Sequence, residues 1–255
     1  MKLLNARNPR LPVLAALAFL APAMSANAEV LVSRYNVSME GIPAGEATLH
    51  ISYDAKRYEV KVSAEVGTIL NSTKIEGKAT GSRSGAAITP EHFHMVVSGG
   101  EEGTIDVNFK GDGEGDTQIN SRLRGVFDPL SAMLNTSLKP QATSTSPCSN
   151  VLPVFTGRAR FDLSLRPAPA APKEASVSDS PFIPQAMASA AKEHPVITCE
   201  ADYAVMPGEP FQKIGMQISF TKVAKPKFWL VERITLPTNK GVVTIERIET
   251  SISGS

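Results

Sequence analysis

Apolar and polar residues alternate with a period of two along most of this chain, the spacing of strands that bury one face and wet the other. Ala47, Leu49, Ile51 and Tyr53 interleave with Thr48, His50 and Ser52. After a short stretch around Asp54-Ala55-Lys56, Tyr58, Val60, Val62, Ala64 and Val66 alternate with Glu59, Lys61, Ser63 and Glu65. A connection of that size predicts an antiparallel hairpin. The alternation returns at Ile105–Phe109, Phe161–Leu165, Ile214–Phe220, Phe228–Leu236 and Val242–Ile252. Together these segments predict about 11 or 12 strands in an antiparallel sheet with one face in water. Pro43, Pro90 and Pro237 belong at strand starts, edges or bulges, because proline has no N–H to give the ladder.

One segment departs from the rhythm. In Asp128-Pro129-Leu130-Ser131-Ala132-Met133-Leu134, Asp128 reads as an N-cap and Pro129 as the first helical residue. Leu130, Met133, Leu134 and Leu138 then share a face at helical spacing, and Pro140 is expected to stop the helix. The fold class that follows is mainly β: a strongly curved antiparallel sheet, half-barrel or β-spiral, with one short helix. That helix either plugs the apolar face or acts as a lid over a pocket.

The N-terminus predicts export. Lys2, Arg7 and Arg10 precede an apolar run from Leu11 to Ala21, and Ala26-Asn27-Ala28 has the small-residue pattern of a cleavage site. The run is shorter than the roughly 20 residues of a transmembrane helix, so a cleaved Sec-type signal peptide over 1–28 is expected rather than an anchor. Neither a cysteine at the cleavage point nor a twin-arginine pair is present. A single β-rich periplasmic domain over 29–255 is left, with no later segment apolar enough to span a bilayer as a helix. Within it, an Ala/Pro/Ser-rich stretch at about 167–192 predicts a flexible loop.

The formal net charge is +1, and loss of the leader's three cations brings it to about −2. That is not the basic footprint of a nucleic-acid-binding protein. The two cysteines, Cys148 and Cys199, lack the C-x-x-C spacing of a redox pair, and in an oxidising compartment they predict a structural disulfide.

Candidate chemistry is sparse. G-x-S-x-G, H-E-x-x-H and a phosphate-binding glycine loop are all missing. His92 and His94 flank Phe93 and share one strand face, a spacing metals use, but Phe93, Met95 and Val97 make the opposite face the apolar one. His50 also lies on a polar face. Asp112, Glu114 and Asp116 alternate with glycines but lack the distant Glu of a calcium loop, so a hairpin turn explains them. Arg158 and Arg160, at a strand start, suit pairing with carboxylates, anchoring of the nearby loop or contact with an anionic head group at a cavity rim. These readings predict no catalytic residue, no metal and no cofactor.

A family resemblance runs through the mature chain. Gly41-Ile42-Pro43-Ala44-Gly45, Asp128-Pro129-Leu130-Ser131-Ala132 and Leu236-Pro237 stand in order. With them are Cys148, the stretch Leu152-Pro153-Val154-Phe155-Thr156-Gly157-Arg158, and Cys199 to Tyr203 with Pro207-Gly208. These stretches resemble the exported bacterial domain of unknown function numbered 3108, in its two-cysteine proteobacterial form. Thr156 stands where the resemblance implies an acid. The resemblance implies a β-rich periplasmic protein and no defined activity; by fold analogy, such sheets are similar to the lipoprotein carriers of the Lol system.

The expected function is therefore non-enzymatic: a cell-envelope protein binding a lipid or acyl chain in the hollow of the sheet. Leu49, Ile51, Val60 and Val62 would line the site, Leu130, Met133 and Leu134 would close it, and Arg158 would stand at its rim. Two alternatives are an interaction or structural role in envelope integrity, through strand addition to a partner protein, and a hydrolytic enzyme using His92 or His94 beside an acid.

Overall fold

The computed structural model describes residues 28–67, 72–100, 102–110, 123, 125–143, 146–169, 196–204, 212–223 and 228–254. The leader up to residue 27, the acid–glycine stretch Asp112–Asp116 and most of the Ala/Pro/Ser-rich stretch lie outside the described residues.

Six strands come first: β1 (Glu29–Met39), β2 (Ile42–Tyr53), β3 (Arg57–Gly67), β4 (Ser72–Ser84), β5 (Ala87–Ser98) and β6 (Gly103–Asn108). The helix α1 (Pro129–Thr143) follows. Among the described residues six more strands follow: β7 (Asn150–Phe155), β8 (Arg160–Pro167), β9 (Val196–Ala204), β10 (Gln212–Val223), β11 (Phe228–Thr238) and β12 (Gly241–Ser253). All twelve form one antiparallel sheet in the order β6-β5-β4-β3-β2-β1-β12-β11-β10-β9-β8-β7. Each half is thus a simple meander of sequence neighbours, and the seam between the halves is the pairing of β1 with β12.

The register carries the alternation across strands. Leu31 faces Ile51, Ile51 faces Val60, Val60 faces Ala79, Ala79 faces Phe93 and Phe93 faces Val107. All six are buried, forming one apolar layer that crosses the first half-sheet. Bulges at Ile248 of β12, Glu91 of β5 and Glu232 of β11 add twist, and the sheet curls without closing. Its two ends approach closely: Gly157, after β7, lies against β6 with φ +87°, and a Cβ there would stand 2.2 Å from Ile105 Cγ2. Glycine is required at that turn both for its backbone conformation and for the contact.

The helix begins where Asp128 and Pro129 predict. Asp128 Oδ1 accepts the Ser131 N–H at 2.8 Å, as an N-cap does, and Asp128 O accepts the Ala132 N–H at 2.8 Å. It does not stop at Pro140 but runs on to Thr143. Proline removes one N–H from the ladder; the turns before it are already held by packing, so a single lost bond does not end the helix.

Two buried clusters result. One gathers the inner face of β1–β6 around Leu134 and Leu138 of α1; the other gathers β7–β11 around Ala132 and the two cysteines. The first residues of β11 divide between them, with Phe228 and Leu230 in one cluster and Trp229 and Val231 in the other. Pairing of β11 with β12 ends at Arg233 and Glu246, which leaves this stretch free to be buried on both faces.

Candidate ligand-binding site

The helix treats the two halves of the sheet differently. Leu130, Leu134 and Leu138, one stripe at i, i+4 and i+8, pack on the first half. Gly77 on β4 makes room for them: a Cβ there would meet Val62 Cγ1 at 2.8 Å and Leu130 Cδ1 at 3.5 Å. Toward the second half the helix presents Ala132 and Thr136, smaller side chains at i and i+4. Small residues on that face leave a gap between helix and sheet.

The gap is a cavity of about 590 Å³, within the usual range for small-molecule sites. Pro129, Ala132, Met133 and Thr136 form its helical wall. Leu152 and Val154 of β7, Leu163 of β8, and Met216 and Ile218 of β10 carry much of the opposite wall, and Phe161 and Tyr203 meet edge to face with ring centroids 6.4 Å apart. The lining is almost wholly apolar. Thr136 contributes a hydroxyl, but it donates to the Ala132 carbonyl at 2.9 Å within the helix. Ile214, Met216, Ile218 and Ile234 remain partly exposed, although they occupy the same inward positions that are sealed in the first half.

The residues expected to line the site divide accordingly. Leu49, Ile51, Val60 and Leu134 are buried in the first cluster, with Val62 and Leu130 packed at its edge. None of them lines the open cavity: Leu130 and Leu134 belong to the stripe that packs on the first half, and the four strand residues are in the core on that side or at its edge. Met133 packs against both clusters and lines the cavity. Arg158 lies in a second, adjoining hollow of about 720 Å³ together with Glu102 and Lys240. The β10 and β11 positions were visible as alternation, but alternation alone does not say which apolar face stays uncovered.

Three polar groups secure the start of the helix. Tyr58 of β3 and Ser131 share a hydrogen bond of 2.7 Å between their hydroxyls, and the Ser131 hydroxyl donates to the Asp128 carboxylate. Burial raises the Asp128 carboxyl above its ordinary pKa, and burial likewise pushes up the Tyr58 hydroxyl. On the other side Phe127 bonds to the edge strand β7, donating to Pro153 O and accepting from Phe155 N, each at 2.8 Å. The helix entrance is therefore tied to both halves of the sheet.

Cys148 and Cys199 are joined in a buried disulfide, with Cα atoms 5.1 Å apart. It links the entrance of β7 to β9 across β8, the strands that form the outer wall of the cavity.

His92 and His94 face solvent, and the structure brings them an acid that spacing did not reveal. Asp106 on β6 lies 3.0 Å from each, with one carboxylate oxygen to each ring. Hydrogen bonds from His92 and then His94 hold the Asp106 carboxyl below its ordinary pKa. The Gly99-Gly100 turn before β6 was the available signal for that register. Among the described residues no three His, Cys, Asp or Glu side chains are arranged to hold a metal ion, and no helix is long and apolar enough to cross a membrane. His50 is not part of the His92–His94–Asp106 cluster.

Among curated proteins, none matches this chain. Among solved structures, the hypothetical protein CT021 from Chlamydia trachomatis is similar over 88% of each chain, at 13% identity and a TM-score of 0.35. The family described as "Protein of unknown function (DUF3108)" matches residues 34–170, more than half of the sequence, and the protein belongs to that family.

Proposed function

We propose that this protein is a non-enzymatic component of the bacterial cell envelope that binds an acyl chain in the cavity between α1 and strands β7–β11. The observation that carries the reading is the cavity itself: about 590 Å³ of nearly unbroken apolar lining on a half-sheet that the helix leaves uncovered. Apolar side chains held partly exposed gain about 0.8 kcal/mol per methylene that covers them. The leader-like N-terminus supports a periplasmic setting, which suits a ligand drawn from a membrane. Native mass spectrometry with lipid extraction, on oxidised protein purified from the periplasm, tests this reading. A mass excess that releases a discrete acyl lipid supports it, and a bare mass overturns it.

One observation favours a second role. Beyond Glu246, β12 pairs only with β1 among the described residues, and Ile248 and Ile252 on that stretch are exposed. An unpaired edge of this kind accepts an added strand from a protein partner.

A further inference from the structure

The apolar cavity does not end blindly. Pro129 and Thr156 line both it and the second hollow. The second hollow has a different chemistry: Phe93, Met95 and Ile105 continue the apolar wall, while Arg158, Lys240 and Glu102 supply charge. The Arg158 guanidinium lies over Gly103 of β6, where a side-chain carbon would stand 3.4 Å from Nη2. Lys240 comes from the turn between β11 and β12. Among the described residues neither cation has a carboxylate partner, whereas Arg34, Lys78, Arg166, Arg233 and Arg247 are all in ion pairs. The nearby carboxylate of Glu40 is engaged by the Val242 N–H. Two cations thus face one carboxylate, Glu102, at the polar end of an apolar channel.

We propose that the ligand is an acyl amphiphile with an anionic head group, its chain in the apolar cavity and its carboxylate or phosphate against Arg158 and Lys240. This rests on the acyl-binding reading above and adds the sign and place of the head. A guanidinium beside an ammonium suits a carboxylate or phosphate, since its planar fork gives two parallel donors. The channel sets the ligand's direction: tail toward β10, head toward the junction of β6 with the β7–β8 turn.

The test uses four dodecyl compounds on the oxidised protein, each below its micelle concentration, competing with the neutral fluorophore N-phenyl-1-naphthylamine. They are dodecanoate, dodecyl phosphate, uncharged tetraethylene glycol monododecyl ether and dodecyltrimethylammonium. At least one anion is expected to displace the fluorophore at roughly tenfold lower concentration than the ether, and the tighter of the two identifies the head group. The Arg158→Gln, Lys240→Gln double variant, changed only at exposed side chains, is expected to erase that advantage and leave the ether unaffected. Equal displacement by all four compounds overturns the head-group assignment while the cavity reading stands. Tightest binding of the cationic compound also overturns it, with Glu102 as the dominant charge. Displacement by none of them overturns the cavity reading itself.

Discussion

The two halves of the sheet have the same strand count and the same alternation, yet the side chains beneath the helix are sealed in one and left open in the other. In β1–β6, the inward side chains Ile51, Val60 and Phe93 are 1% exposed or less beneath the leucine stripe of α1. In β7–β11, Ile214, Met216 and Ile218 stand at equivalent inward positions and stay partly open. The difference comes from the helix rather than the strands: leucines on one side, Ala132 and Thr136 on the other. A single amphipathic element can therefore complete one core and wall a cavity at the same time. The disulfide, itself buried, sits on the side of the cavity.

Removing that disulfide should give the largest effect. The Cys148→Ser, Cys199→Ser variant is expected to lose about 4 kcal/mol of stability in denaturant, as for a closed loop of this length. The loss should be uneven. Hydrogen exchange is expected to show β7–β9 losing protection while β2–β5 keep theirs; uniform loss would mean that the halves unfold as one unit and that the contrast is only geometric.

Paired truncations sharpen the contrast. Leu134→Ala in the sealed half should cost about 3 kcal/mol by removing well-packed methyl groups, whereas Ile218→Ala in the cavity wall should cost about 1 kcal/mol or less. Equal costs, read from urea midpoints, would show the second half to be packed after all. A smaller effect concerns the helix entrance that both halves share. Because burial raises the Asp128 pKa, the folded state holds that proton more tightly than the unfolded one. Stability from this group therefore rises as pH falls through the folded pKa toward the unfolded value. Asp128→Asn keeps a good cap, so it should be nearly neutral at pH 7 and fall behind the native protein as the medium is acidified. A gap that shrinks with acid would contradict the assigned direction.

Much of the fold was legible in the residues. Alternation at Ala47–Tyr53 and Tyr58–Val66 corresponds to β2 and β3, and Asp128-Pro129 marks the helix start because capping is a local property of a few residues. The site was legible only in its kind. Leu49 and Ile218 follow the same period, and only tertiary packing decides that α1 covers the first and leaves the second open. Asp106 was invisible beside His92 and His94 for a similar reason: the contact depends on the register between β5 and β6, which lies outside any single strand's pattern. Pro140 misled because a local preference for stopping is weaker than packing along the preceding turns.

The β1–β12 seam has a consequence in time. Every other strand pair joins neighbours along the chain, and most close through turns of a few residues, whereas the seam joins Ser33 to Thr250 across 217 positions. Closing so long a loop carries an entropic cost that hairpins do not. Each meander can assemble as its own strands become available, but the curl that brings β6 to Gly157 waits for β12. Until then the apolar faces of both meanders are open to neighbours, and it is β12 that turns two exposed half-sheets into one molecule.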